Sequence, residues 1–231
     1  MIPAPLSYTA EEIRDAEAPL LAAGVPLMEK ASQALAEVIL AEFASPKTPV
    51  LFLVGPGNNG GDGLYSAAAL ASQGISTHAL VVSNRIHNNG YIAAERAGVD
   101  FWSRPGASIE TIRSIVLENL SAEMGPVVVV DAMLGIGSSP ATPMREPARS
   151  VALAINDLRT TQAPITVIAA DIPSGLDPDT GIAPDRAVIR ADMTVTFGAL
   201  KKGMLIKDGP LHCGKITIID IGLGPYLHPM P

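Results

Sequence analysis

Residues 49–63 read Pro-Val-Leu-Phe-Leu-Val-Gly-Pro-Gly-Asn-Asn-Gly-Gly-Asp-Gly, and they decide the architecture of the chain. Pro49–Val54 is an unbroken apolar run of strand length, with no polar residue alternating through it, so it predicts a strand covered on both faces. The glycine-rich run leads into a helix from about Asp62 to Gln73, and Ser76–Val82 reads as a second strand. The alternation continues downstream. Tyr91–Ala97 is helical, Val99–Trp102 a short strand, Ile109–Asn119 helical and Pro126–Val130 a strand. Arg145–Thr160 is helical and Ile165–Ala170 a strand, while Ala191–Phe197 and Lys215–Ile221 are late strands with little helix between them. Upstream, Thr9 is an N-cap candidate with Glu12 three residues on, as a capping box requires. Val25–Phe43 is a second helix, with Leu27, Ala31, Leu35, Val38 and Ile39 among the residues of its apolar stripe.

Strands alternating with helices predict an α/β, Rossmann-like three-layer αβα sandwich. Its central sheet is mostly parallel, and two helices precede the first strand. No repeat, linker or low-complexity segment divides residues 1–231, so a single domain is expected. The composition agrees: 48% of residues are apolar but 4% aromatic, so the core must rest on Val, Ile, Leu, Ala and Met. A net charge of −7 without a basic run makes nucleic acid a poor partner. The single cysteine, Cys213, excludes a disulfide framework, and the four histidines share no metal-ligand spacing. No apolar run spans a bilayer and the start lacks a secretory pattern, so a cytoplasmic setting without a membrane partner is expected.

In sheets of this kind ligands bind beyond the carboxyl ends of the strands. Three such ends stand out. Gly55–Gly63 holds five glycines in nine residues, with Asn58, Asn59 and Asp62 among them. Glycine permits positive φ and close approach of a ligand to the amides, and the helix that follows directs free N–H groups at an anion. Val127–Val130 runs into Asp131-Ala-Met-Leu-Gly-Ile-Gly137, and Ile165–Ala170 into Asp171-Ile-Pro-Ser-Gly-Leu-Asp177. Asp131 and Asp171 are each placed as a metal ligand or a catalytic carboxylate. Asp177 and Asp179, among Pro, Thr and Gly, shape a turn. Gly55, Gly57 and Gly60 also fit the dinucleotide fingerprint of an NADP-dependent oxidoreductase. The acidic residue that holds a ribose is missing from the next strand end, where Arg85 stands ready for a 2′-phosphate.

Together the loops resemble the YjeF N-terminal domain family, the NAD(P)H-hydrate epimerases. The matching pieces are Gly-Asn-Asn-Gly-Gly-Asp-Gly at 57–63, Val-Asp-Ala-Met-Leu-Gly at 130–135 and Asp-Ile-Pro-Ser-Gly-Leu-Asp at 171–177. Thr-Phe-Gly-Ala-Leu-Lys at 196–201 and Asp-Ile-Gly at 220–222 also match. The resemblance covers almost the whole chain in order. It implies non-redox epimerisation at C6 of hydrated NADH or NADPH, with potassium as cofactor. It further implies nucleotide contacts from Asn58, Asn59, Gly60, Gly61 and Asp62, from Gly135, Ile136, Gly137, Ser138, Ser139, Pro140 and Ala141, and from Asp171. Asn59, Asp131 and Ser174 would hold the potassium ion, as oxygen ligands suit a hard cation. The loop from Gly135 to Pro143 is longer than is usual in the family.

Asp171 is the expected proton-transfer group, and Lys201, after a strand end, is either a phosphate contact or a solvated lysine. A homodimer is expected by analogy, and an NAD(P)H-hydrate dehydratase, separate or fused, is the expected functional partner. The same fold also serves as a catalytically silent scaffold module, in mRNA-decapping proteins.

Overall fold

The computed structural model describes residues 6–43, 48–120, 126–137, 142–160 and 164–227. Seven strands form one sheet: β1 (Val50–Val54), β2 (Thr77–Val81), β3 (Asp100–Ser103), β4 (Val127–Ala132), β5 (Ile165–Ala170), β6 (Met193–Phe197) and β7 (Lys215–Ile219). Their order is β3-β2-β1-β4-β5-β6-β7, and every pairing is parallel, so the sheet is wholly rather than mostly parallel. The order reverses between β1 and β4, which places a crevice where Val54 lies beside Ala132 and Asp131 beside Ala169.

Helices cover both faces. α1 (Ala10–Ala22), α2 (Leu27–Glu42), α3 (Asn58–Ser72) and α4 (Asn88–Ala97) pack on the side of Phe52, Val128 and Val130. α5 (Ile109–Asn119) and α6 (Ala148–Thr160) cover Leu51, Leu53 and Val129 on the other. A short α7 (Gly209–Cys213) lies between the last two strands. Among the described residues no helix is long and apolar enough to cross a membrane.

The capping box is present. Glu12 N donates to Thr9 Oγ1 at 3.2 Å and Thr9 N donates to Glu12 Oε2 at 2.7 Å. The segment before α1 is pinned beside residue 201: Tyr8 N donates to Leu200 O and Lys202 N donates to Tyr8 O, both at 2.8 Å. Ala10 N adds a 2.6 Å bond to Asp179 Oδ1, and α1 is thereby fixed over the carboxyl end of the sheet.

Three boundaries depart from the sequence expectation. β4 continues through Asp131 to Ala132, so Asp131 is the penultimate strand residue rather than the first loop residue. α6 begins at Ala148, after Pro147, because the residue before a proline is driven out of the α region. This frees Arg145 from the helix. α3 begins at Asn58 and takes three of the glycines into its first turns, with Gly57 as N-cap.

The glycines also serve a different purpose from the one expected. None of the five in 55–63 has a positive φ. A Cβ on Gly55 would lie 1.7 Å from Met133 O, one on Gly60 would lie 2.1 Å from Gly55 O, and one on Gly63 would lie 2.6 Å from Ala132 Cβ. These three let α3 sit directly on the β1–β4 loops. A Cβ on Gly57 or Gly137 would meet nothing within 4 Å, so those two are open to the outside. Gly55→Ala should therefore lower unfolding free energy by about 1–3 kcal/mol or more, as overpacking does. Gly57→Ala should cost less than about 1 kcal/mol, the loss of a modest N-cap. Urea denaturation of the two variants, followed by circular dichroism, measures the contrast.

Candidate active site

The crevice at the order reversal opens into a cleft of about 630 Å³. Pro56, Gly57, Asn58, Asn59 and Asp62 line it from α3 and the loop before it. Leu134–Gly137 and Asp171 enter from the ends of β4 and β5. The wall opposite comes from α1 and α2, through Ile13, Arg14, Glu17, Leu21 and Met28. That wall was not visible as part of a site in the sequence, because nothing local marks α1 as facing the loops some fifty residues on. Arg14 is an exposed cation there, donating to Ile136 O at 3.2 Å.

Asp131 is fully buried. Its Oδ1 accepts from Ser174 Oγ at 2.6 Å and Met133 N at 3.2 Å, and its Oδ2 accepts from Ser174 N at 2.7 Å. Burial pushes its carboxyl up to about 6, against the opposing pull of the Ser174 hydroxyl and amide. Ser174 Oγ also accepts from Leu134 N at 2.9 Å. The side chain of Asn59 reaches the same loop, with Nδ2 donating to Leu134 O at 3.0 Å. Its Oδ1 is buried and has no hydrogen-bond partner among the described residues, so an acceptor stands unsatisfied on a side chain that shares Leu134 with Ser174.

Asp171 is built differently. Its backbone is left-handed, with φ 67°. Its Oδ1 takes an ion pair from Lys201 Nζ and a bond from Phe197 N at 3.3 Å. Lys201 is 1% exposed, and its ammonium also donates to Thr196 Oγ1 at 2.8 Å and Phe197 O at 3.1 Å. All three of its protons are thus committed. The structure overturns the solvated-lysine reading and leaves no free donor for a phosphate. The surrounding loop buries this lysine, and no property of Lys201-Lys202 in the sequence distinguishes the two neighbours.

Asp62 is buried on the α3 side of the cleft. Burial, with the Asp171 and Glu17 carboxylates nearby, pushes its carboxyl well above the usual range. Burial and Asp171 also raise Glu17. Asp177 shapes a turn as expected, accepting from Asp179 N and Thr180 N.

The structure brings Asn58, Asn59, Asp62, Gly135, Ile136, Gly137, Asp171 and Lys201 to one cleft, with Asp131 and Ser174 beneath its floor loop. Gly60 and Gly61 lie in the first turns of α3 and are buried. Ser138, Ser139, Pro140 and Ala141 lie outside the described residues.

Removing the Ser174 hydroxyl strips a donor from a buried carboxylate. Ser174→Ala should lower unfolding free energy by about 2–3 kcal/mol at neutral pH. The native Asp131 carboxyl, at about 6, holds its proton in a window above 3.8 where the unfolded one has lost it. Stability therefore falls as pH rises through that window, and the variant should steepen the fall. Urea titrations of both proteins across the window would show the loss shrinking towards its acid end.

Residues 24–203 match the family described as YjeF-related protein N-terminus. The NAD(P)H-hydrate epimerase of Clavibacter michiganensis subsp. michiganensis is 42% identical over 94% of this chain and 90% of its own length. That of Microbacterium testaceum is 41% identical, over 96% and 80%. The bifunctional NAD(P)H-hydrate repair enzyme Nnr of Mycobacterium leprae is 35% identical over 94% of this chain, with the match spanning 41% of that protein. A crystal structure of the yeast protein YNL200c shares the fold, with TM-score 0.71 and 22% identity over 92% of this chain and 87% of that one. The matched span, the identity and the three strand-end loops agree: the chain belongs to the YjeF-related N-terminal family.

Proposed function

We propose that this chain is an NAD(P)H-hydrate epimerase, interconverting the R and S hydrates at C6 of the nicotinamide ring without redox chemistry. The observation that carries the mechanism is the pair of carboxyl groups with unlike surroundings, Asp62 and Asp171, that line one cleft beside the N-terminus of α3. Pairs of this kind divide acid and base roles between them. The epimerases among the relatives match over most of their length and supply the substrate class.

The C6 hydroxyl sits next to the ring nitrogen. The nitrogen lone pair expels it as water once its oxygen is protonated, and a planar cation remains. Water then adds from the opposite face and loses a proton. Asp62, raised by burial, holds the proton for the leaving oxygen. Asp171, paired as a carboxylate with Lys201, steadies the cation and takes the proton from the incoming water. Solvent exchange restores both groups. This divides between two carboxyl groups the transfers that the sequence assigns to Asp171 alone. Lys201 is then a positioning residue, holding Oδ1 so that the other carboxylate oxygen faces the cleft.

Asn59, Asp131 and Ser174 fit a potassium ion. The buried Asn59 Oδ1 lacks a donor, and the set is amide, carboxylate and hydroxyl oxygen. When bound, the ion supplies positive charge that offsets Asp131 and favours an anionic ligand. The rival oxidoreductase reading loses its support, because Gly55 and Gly60 are required by packing whatever the ligand. The fused relatives indicate the companion chemistry: the epimer made here feeds an NAD(P)H-hydrate dehydratase, carried separately or on a longer chain. We take residues 1–231 as one catalytic unit.

Purified protein should speed interconversion of the two hydrates without forming oxidised cofactor, as chromatography over time would show. Starting from one epimer, equal rates with and without enzyme, where the uncatalysed interconversion is slow, would refute the reading. Asp171→Asn should lose at least roughly 10²-fold in turnover while still binding nucleotide, the usual scale of proton-transfer catalysis. Asp131→Asn keeps an oxygen for the cation, so its defect should lie mainly in affinity and recede as potassium is raised. Steady-state kinetics at several potassium concentrations separates the two. Asp171→Asn turning over at the wild-type rate would remove that residue from the mechanism.

A further inference from the structure

A second cleft, of about 660 Å³, lies across a ridge from the first. Pro56, Leu134 and Gly137 line both, so the two form one groove divided by that ridge. The second half opens at the end of β2, where Val82 leads to Arg85, and is closed opposite by Met144 and Arg145 ahead of α6. Val82, Met144 and Leu176 are buried and give it apolar walls.

Two arginines line it. Arg85 and Arg145 are both exposed, and neither forms an ion pair with a described residue. Arg104, Arg149, Arg159 and Arg186 each face a carboxylate, whereas Arg14, Arg96, Arg113 and Arg190 share no ion pair with a described residue either; what sets Arg85 and Arg145 apart is that they line this half together. Glu146 also lines this half, but its Oε2 accepts from Ser150 N at 3.1 Å. Ser83 Oγ donates to Arg85 O and accepts from Arg85 N at 3.3 Å, which fixes the backbone from which the arginine projects. Two guanidinium groups without a carboxylate partner among the described residues, beside apolar walls, suit a dianion attached to a flat base.

Position narrows the ligand. In parallel sheets of this order the end of the second strand meets the ribose of a bound dinucleotide. A carboxylate there holds a free 2′-hydroxyl and an arginine accommodates a 2′-phosphate. Here the position carries arginine. Gly57 and Gly137 leave the ridge open, and the free amides at the start of α3 lie against it, so a diphosphate can cross between the two halves.

We infer that the second cleft takes the adenosine half of the substrate and that Arg85 and Arg145 select the 2′-phosphorylated form, making hydrated NADPH preferred over hydrated NADH. This rests on the epimerase reading for the nicotinamide half. The subsite itself is tested without catalysis.

Calorimetry with 2′,5′-ADP and 5′-AMP as probes reads the second cleft directly. Wild type should bind 2′,5′-ADP about tenfold or more tighter than 5′-AMP, the scale of charge-assisted hydrogen bonds. The doubly substituted R85A/R145A should bring that ratio close to one and leave 5′-AMP affinity within about twofold. Both residues are exposed, so an unchanged circular dichroism spectrum is expected. Arg96→Ala, on the exposed side of α4 and lining neither half, controls for bulk charge and should keep the wild-type ratio. The same double variant should lose the preference in kcat/KM between the two hydrates. Equal affinity of wild type for the two probes would overturn the inference, and so would an equal loss in Arg96→Ala. Epimerisation with no preference between the hydrates would overturn it and leave the function standing. Probe discrimination in a protein without epimerase activity would uphold the subsite and refute the function.

Discussion

The contact on which the site depends is that between the backbone of Gly55 and the carbonyl of Met133, tightened by Gly60 against Gly55 and Gly63 against Ala132. No side chain fits at these places. Because none is present, α3 begins directly at the mouth of β1 instead of after a looser loop. Its first turns bring Asn59 to Leu134 O and Asp62 to the neighbourhood of Asp171. The same approach sets the free amides of the helix against the ridge between the two halves of the groove. A glycine-rich phosphate loop is usually explained by what a ligand needs. Here most of it is explained by what the sheet needs, and Gly57 alone of the five is left open to the cleft.

An acidic chain that binds an anion must arrange its few cations with care. The cleft carries Glu17, Asp62 and Asp171, and against them stand Arg14, which is exposed at the rim, and Lys201, which is spent on Asp171. Desolvation pushes the Asp62 carboxyl well above the usual range, and the Asp171 and Glu17 carboxylates push it the same way. The result is two carboxyl groups with unlike surroundings facing the same space, one raised by burial and one ion-paired with a lysine. That difference follows from position alone: Asp62 projects from a helix with no cation bound to it in the described structure, whereas Asp171 ends a strand beside a lysine buried by the following loop.

Much of this was legible in the sequence. The apolar runs at 50–54, 127–130 and 165–170 give the core of the sheet, and the aspartates at their ends give the floor of the cleft. These signals are local, since a buried parallel strand declares itself by its own composition. The start of α3 was misplaced because glycine and asparagine carry poor helix propensity, and tertiary packing overrode it. The sequence leaves Lys201 open between two roles because the ion pair that fixes it comes from far away: Asp171 lies thirty positions earlier. Arg14 and Glu17 go unmarked for the same reason, as α1 is held over the cleft by the pairing of Tyr8 with residues 200–202 and of Ala10 with Asp179. Long-range contacts that a single sequence does not encode locally account for each of these failures.

The backbone of Asp171 shows what the fold spends on its site. A left-handed conformation in a residue with a Cβ costs of order 1–3 kcal/mol unless its side chain compensates, and glycine would adopt it freely. The conformation is held by Asp171 N donating to Val195 O at 2.8 Å and Ile172 N donating to Ala170 O at 2.8 Å. It ends β5 abruptly and places the carboxylate where Phe197 N and Lys201 Nζ reach one oxygen. Aspartate is among the few residues that tolerate this region, because a short polar side chain can bond locally. A turn built only to end the strand would be more stable with glycine. Glycine would lack the carboxylate, and here the buried lysine, the β6 amide and the left-handed turn together fix one of its two oxygens and leave the other towards the cleft.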